Sequence, residues 1–145
     1  MTKIPDEIDL LSIDVDGVDY WLWKALTSLR SRLVVIEYNS FWGAQRAVTV
    51  PYEPDFDRFR KHPSGYYHGA SLAALYRLAQ EKGYILAGCD SEGLNAFFVR
   101  RDLAEAAGLA AASTAEAYRP FNPKRMSESL EASLARIRHL PLVEV

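Results

Sequence analysis

An α/β fold, with a sheet of about four strands and helices on both faces, is predicted by three features of the chain. Two short apolar runs, Asp9–Ile13 and Leu33–Tyr38, each end in oxygen-bearing side chains and flank an amphipathic segment. Near-continuous apolar runs of this length are the pattern of buried parallel strands. A later pair of runs, Tyr84–Cys89 and Asn95–Arg100, brackets the turn sequence Asp90-Ser-Glu-Gly93, which reads as an antiparallel hairpin.

The elements follow in order. Residues 9–13 form the first strand. Val18 to Leu29 follow as a helix, with Trp21, Leu22, Ala25, Leu26 and Leu29 recurring at spacings of three and four. Arg30 and Arg32 suit the negative pole of its dipole. Residues 33–38 form the second strand, and a strand–helix–strand unit makes the two strands parallel with a right-handed crossover. Residues 40–70 are a long connection punctuated by proline and glycine and dense in aromatics, among them Phe41, Trp42, Tyr66 and Tyr67. That density argues against disorder and for a lid or pocket wall. Ser71 caps a helix over 72–82 that Gly83 terminates. The hairpin strands come next, giving the sheet order first–second–fourth–third. The Ala-rich segment 103–117 is expected to be helical, Pro120 and Pro123 break it, and residues 127–139 form a last amphipathic helix before a tail. The organisation is thus 1–102 as the α/β body and 103–145 as a helical C-terminal extension.

Composition narrows the function classes. The 145 residues are 49% hydrophobic and 25% charged, with a formal net charge of −2. That size suits one domain with one real core. The charge argues against a nucleic-acid binder, which is usually strongly basic. No stretch approaches the roughly 18–20 apolar residues that span a bilayer, and Met1–Glu7 lacks an apolar signal core. The single cysteine, Cys89, is expected to be a small core residue, and its isolation fits a reducing, cytoplasmic setting.

Ligands in open α/β sheets bind beyond the carboxyl ends of the strands. Asp14, Asp16, Glu37 and Asn39 all fall there, so two adjacent strands are expected to aim four oxygen donors at one crevice. Hard cations such as magnesium take such donors; a direct substrate or cofactor contact without a metal, with Glu37 and Asn39 as substrate-binding residues, is the second functional reading. A structural reading stands beside this one: Asp16-Gly17 makes the strand-to-helix turn, Asp16 or Asp19 favours the helix N-terminus, and Glu37 pairs with Arg46 or Arg100. His68, just before the helix start at Ser71, is the candidate general base at the crevice rim. Tyr66 and Tyr67 are candidates to stack on a planar substrate.

The succession of a strand ending Asp-Val-Asp-Gly, a helix, a strand ending Ile-Glu-Tyr-Asn, a long loop, a helix ending Lys-Gly-Tyr and a hairpin resembles the C-terminal half of a Rossmann-like S-adenosylmethionine-dependent methyltransferase of the FkbM-like group. The resembling stretches are Ile8–Trp23, Leu33–Ser40, Val50–Asp55, Tyr66–Gly93 and Leu94–Asp102. The resemblance implies a partial methyltransferase sheet, an acceptor that is a small molecule or sugar, and a crevice built from Asp14, Asp16, Glu37 and Asn39. Asp14 or Asp16, with Glu37 and Asn39, is similar in type and order to the magnesium ligands of some small-molecule O-methyltransferases, an Asp after strand four and an acidic-Asn pair after strand five. It does not extend to the Gly-rich turn that holds S-adenosylmethionine, since no Gly-x-Gly follows any strand. The chain therefore looks like the substrate side of such an enzyme, inactive alone or dependent on a partner. The strand at 9–13 is then an exposed sheet edge, expected to be covered by a second copy, by a separate partner carrying the N-terminal half, or by the C-terminal helix. Two alternatives stand. Asp14-x-Asp16-Gly17 also resembles the first motif of haloacid-dehalogenase-type magnesium-dependent phosphatases, with Asp14 as nucleophile and Asp16 as acid/base. A degenerate, non-enzymatic interaction module is the other.

Overall fold

The computed structural model describes residues 4–145. Its main sheet has four strands: β1 (Glu7–Ile13), β2 (Arg30–Glu37), β4 (Tyr84–Cys89) and β5 (Asn95–Arg100), in the order β1-β2-β5-β4. β1 and β2 are parallel, while β2–β5 and β5–β4 are antiparallel. The predicted strand order and the hairpin are both present. Asp90 builds the turn with its own side chain, accepting from the backbone N–H groups of Glu92, Leu94 and Asn95 at 2.9–3.1 Å.

The crossover helix α1 (Asp19–Ala25) is shorter than the sequence suggests, because β2 begins at Arg30 and Leu26 leaves helical geometry. Lys82 Nζ closes the helix end by donating to the Leu26 carbonyl at 2.8 Å. The buried side of α1 is also different from the expected stripe. Tyr20 and Trp23 enter the core, whereas Leu22 and Leu26 are exposed. The next long helix, α3 (Leu72–Glu81), starts and stops as its sequence predicts. Ser71 Oγ accepts from Ala74 N at 3.1 Å, and Gly83 takes a φ of +83°.

One face of the sheet is sealed. Val34, Ile36, Ala96 and Phe98 are buried against Trp23 of α1 and Leu72 and Leu75 of α3. On the opposite face Leu33, Val35, Phe97 and Val99 are only half-buried. The two faces are therefore covered unequally.

The 40–70 connection is ordered by a second apolar cluster rather than by long elements. It contains a 3₁₀ turn at Ser40–Trp42, the short strand β3 (Val48–Thr49) and the single-turn helix α2 (Arg58–Lys61). Phe41, Trp42, Val48, Val50 and Tyr67 pack there with Ile137 of the last helix, α6 (Leu130–Ile137). The expected helix over 103–117 is two short ones, α4 (Arg101–Ala106) and α5 (Thr114–Ala117). Gly108, at φ +66°, follows the first, and a Ser113–Glu116 capping box starts the second. The segment 103–145 is woven into the body. Tyr38 Oη donates to the Arg119 carbonyl, Tyr118 Oη to that of Ser40, and the tail strand β6 (Val143–Glu144) pairs with β3. Helix α6 lies on the second cluster and does not cover β1. Among the described residues no helix is long and apolar enough to cross a membrane.

The α1 face is open to a direct test. Trp23→Ala should cost about 3–5 kcal/mol in urea denaturation, because it empties a fully enclosed aromatic site. Leu22→Ala should cost less than about 1 kcal/mol. Equal losses would restore the stripe suggested by the periodicity.

Candidate functional site

The parallel register pairs Ile13 with Ile36, so the chain leaves both strands at the same level, with Asp14 beside Glu37. One oxygen from each of Asp14, Asp16 and Glu37 lies within 4.8 Å of the others. Asp14 and Asp16 are exposed, and Glu37 is largely enclosed. Three of the four oxygen donors that the sequence sends to these strand ends therefore lie together. They line a crevice of about 330 Å³ together with Arg58, Tyr66 and His68.

The loop that carries the two aspartates is shaped by a third. Asp19 is fully buried at the start of α1; its carboxylate accepts from Val15 N at 2.9 Å and from Gly17 N at 3.0 Å. Asp16 takes a φ of +57°, a conformation that aspartate tolerates better than most residues. Gly17 packs under the Phe56 ring so closely that a Cβ there would overlap it. Burial and the neighbouring Asp14 raise the Asp19 pKa, against the pull of its backbone hydrogen bonds.

Asn39 sits deeper than the sequence suggests. It is 2% exposed, and its side chain is fully engaged. Nδ2 donates to the carbonyls of Tyr66 and His68 at 2.7 and 2.9 Å, and Oδ1 accepts from Phe41 N at 3.0 Å. Its role is to pin the 66–68 segment against the end of β2, and the donor set open to a cation is Asp14, Asp16 and Glu37. Tyr67 turns away into the second cluster, where its hydroxyl donates to the Pro141 carbonyl at 2.5 Å. Tyr66 faces the crevice, stacked on Phe41 with ring centroids 4.5 Å apart. The expected partners of Glu37 are occupied elsewhere: Arg46 pairs with Glu144, and Arg100 with Glu7 and Asp102.

Glu37 instead faces His68. His68 is 7% exposed, its Nδ1 lies 3.7 Å from Glu37 Oε2, and neither atom has a hydrogen-bond partner among the described residues. Burial, then Asp14, Asp19 and Asp16, push the Glu37 carboxyl up to about 8, with Arg58 opposing. Burial first, and Arg58 second, push the His68 imidazole down to about 3. Both shifts favour the uncharged forms of the two groups. Two buried polar groups left without partners at the wall of a crevice are unusual in a folded protein.

Arg58 carries the one feature that the periodic reading of the long loop misses. It sits on α2, which Asp57 caps through Phe59 N and Arg60 N. From there Arg58 Nη1 reaches Asp16 Oδ1 at 2.8 Å, while its buried Nε has no partner among the described residues. Cys89, half-buried against the first cluster, is a packing residue; burial raises its thiol to about 11. His62 bonds Ser64 Oγ, 2.7 Å from its Nδ1, and lies outside the crevice.

The chain matches no family model, no curated protein and no solved structure. Chemistry therefore has to be read from the crevice itself: three convergent carboxylates, one guanidinium, a buried imidazole and an aromatic wall.

Two measurements test this electrostatic picture. The ordinary values are 4.5 for Glu37 and 6.5 for His68. Glu37 keeps a proton that the unfolded chain loses, so its contribution to stability is lost as pH rises from about 4.5 to about 8. His68 refuses a proton that the unfolded chain takes, so its contribution is lost as pH falls from about 6.5 to about 3. Between 4.5 and 6.5 the two slopes cancel. Urea midpoints without added divalent cation should show a plateau there and a decline of about 1.4 kcal/mol per pH unit or less above it. Glu37→Gln should abolish the alkaline decline; its survival would reassign it. Separately, Asp19→Ala should cost about 2–4 kcal/mol by stranding two backbone donors.

Proposed function

We propose that the crevice binds one hard divalent cation, magnesium being the natural choice, and that it is the acceptor side of a methyltransferase-related protein. The observation that carries the cation is the convergence of Asp14, Asp16 and Glu37 beside a buried, unpartnered His68. Carboxylates this close repel one another, and the all-oxygen donor set suits a hard ion that keeps several of its waters. The cation would supply Lewis acidity, lowering the pKa of an acceptor hydroxyl.

The chain's own residues do the rest. Asp14 and Asp16, held by the Asp19-braced loop, present open carboxylates to solvent. Glu37 gives up its proton when a cation arrives. His68, buried at the crevice wall beside Glu37, stays neutral and can accept a hydrogen bond from a group bound there. Tyr66 and Phe41 offer a stacked wall for a small molecule or the apolar face of a sugar.

The methyl-transfer reading is supported by the strand order and by the placement of the carboxylates at the ends of two adjacent strands. In that reading S-adenosylmethionine is held mainly by a separate partner chain supplying a Gly-rich turn. The open edge of β1, with Leu10 and Val15 exposed beside Leu22 and Leu26 of α1, is the seam on which that partner adds its strands.

Isothermal titration with magnesium, then with S-adenosylmethionine, tests both levels. Magnesium should bind at one site, more tightly as pH rises from 6.5 to 8.5, because Glu37 must lose a proton. Asp14→Asn and Glu37→Gln should each weaken it at least about tenfold. Absence of magnesium binding would remove the cation site. Micromolar S-adenosylmethionine binding by this chain would support methyl transfer and overturn the separate cofactor-holding partner. Magnesium binding without it would take methyl transfer away from the isolated chain.

A further inference from the structure

We infer that Arg58 is the anion receptor of this crevice, and that its ligand carries an anionic oxygen group, a phosphate or carboxylate, bridging Arg58 and the cation. The inference rests on the cation reading above and names the ligand class for that same site.

Three observations support it. Arg58 Nη1 is bound to Asp16 Oδ1 at 2.8 Å, one of the three oxygens that a cation would claim. A carboxylate that gives its charge to a divalent ion holds a guanidinium less strongly, so Arg58 loses part of its only ionic partner among the described residues when the ion binds. Its buried Nε is unpartnered already. With Nη1 released, the two Nη groups present a fork of donors, the geometry that recognises phosphate or carboxylate bidentately. Finally, Arg58 is held in place by things other than Asp16. Asp57 caps its helix, its guanidinium lies over the Phe59 ring at 5.1 Å, and Phe59 itself packs on Gly65. The fork therefore stays at the crevice when its ion pair loosens.

Charge sets the order of events. Asp14, Asp16 and Asp19 crowd around Glu37, with Arg58 as the opposing cation. The other guanidinium lining the crevice, Arg125, stands 3.8 Å from Glu92. An anion is repelled from this field until a divalent ion offsets it. Magnesium sites typically combine one or two carboxylates with oxygens from a bound anion. Cation and anion should thus bind cooperatively, cation first.

The test uses four small probes on the whole chain: inorganic phosphate, glycerol 3-phosphate, glycerate and glycerol, each titrated with and without saturating magnesium. Glycerol 3-phosphate and glycerate share one skeleton, so their comparison separates phosphate from carboxylate recognition. The anions should bind at least about tenfold more tightly with magnesium than without, and glycerol should not bind. Arg58→Gln should weaken the anions at least about tenfold while leaving magnesium affinity unchanged or higher, since Asp16 is freed. Arg58→Lys should recover part of the loss. Loss of anion binding without loss of cation binding is what a merely structural Arg58 does not produce, and retained magnesium binding shows that the variant is folded. Magnesium binding with anions no tighter than glycerol, or with Arg58→Gln matching wild type, overturns the anion receptor and leaves the cation site standing. No magnesium binding by the wild type overturns both.

Discussion

The parallel ladder between β1 and β2 is the constraint on which the rest depends. Its register aligns Ile13 with Ile36, which ends two strands at one level and sets Asp14 against Glu37. Side chains that would be unremarkable on separate surfaces become a crowded anionic group. Everything around them answers that crowding. Glu37 keeps its proton, Arg58 reaches in from the long loop, and Asp19 spends both carboxylate oxygens on backbone N–H groups to fix the loop between.

The cover of the crevice follows from a second constraint, the engagement of Asn39. Three hydrogen bonds tie its amide to the 66–68 and 40–42 segments. Together with the Asn39 N–H donating to the Ala70 carbonyl and Gly69 N to that of Gly17, they bring the end of the long loop back against both strand ends. His68 is thereby placed beside Glu37, and Tyr66 beside Phe41. The aromatic residues behind them give this loop a core of its own, which is why a 31-residue connection with little regular structure is ordered.

Two surfaces are less complete. β1 pairs on one side among the described residues, and its exposed apolar side chains continue onto α1. The second face of the sheet is half-buried. Meanwhile the C-terminal segment, which could have covered β1, is used against the 40–70 cluster and the tail strand β6. The distribution of apolar cover is therefore uneven, dense around the crevice and sparse at the β1 edge.

Much of the fold was legible in the sequence because its signals are local. The apolar runs, the Asp90–Gly93 turn, the Ser71 cap and Gly83 each act within a few residues, and they fix the strands and their order. The convergence of Asp14, Asp16 and Glu37 was legible too, since a parallel unit aligns strand ends. Local signals also misled where composition overrode them. The Ala-rich run hid Gly108 and the Ser113–Glu116 box that divide it, and the periodicity of residues 18–29 outran a helix that ends at Ala25. What only the tertiary structure decided is which polar group meets which. Asn39 became a clamp and Tyr67 a core residue, Arg58 came to Asp16 across 42 positions, and His68 to Glu37 across 31. Such pairings depend on how a long irregular loop closes. That closure is set by packing of distant aromatic side chains and leaves no periodic trace in the order of residues.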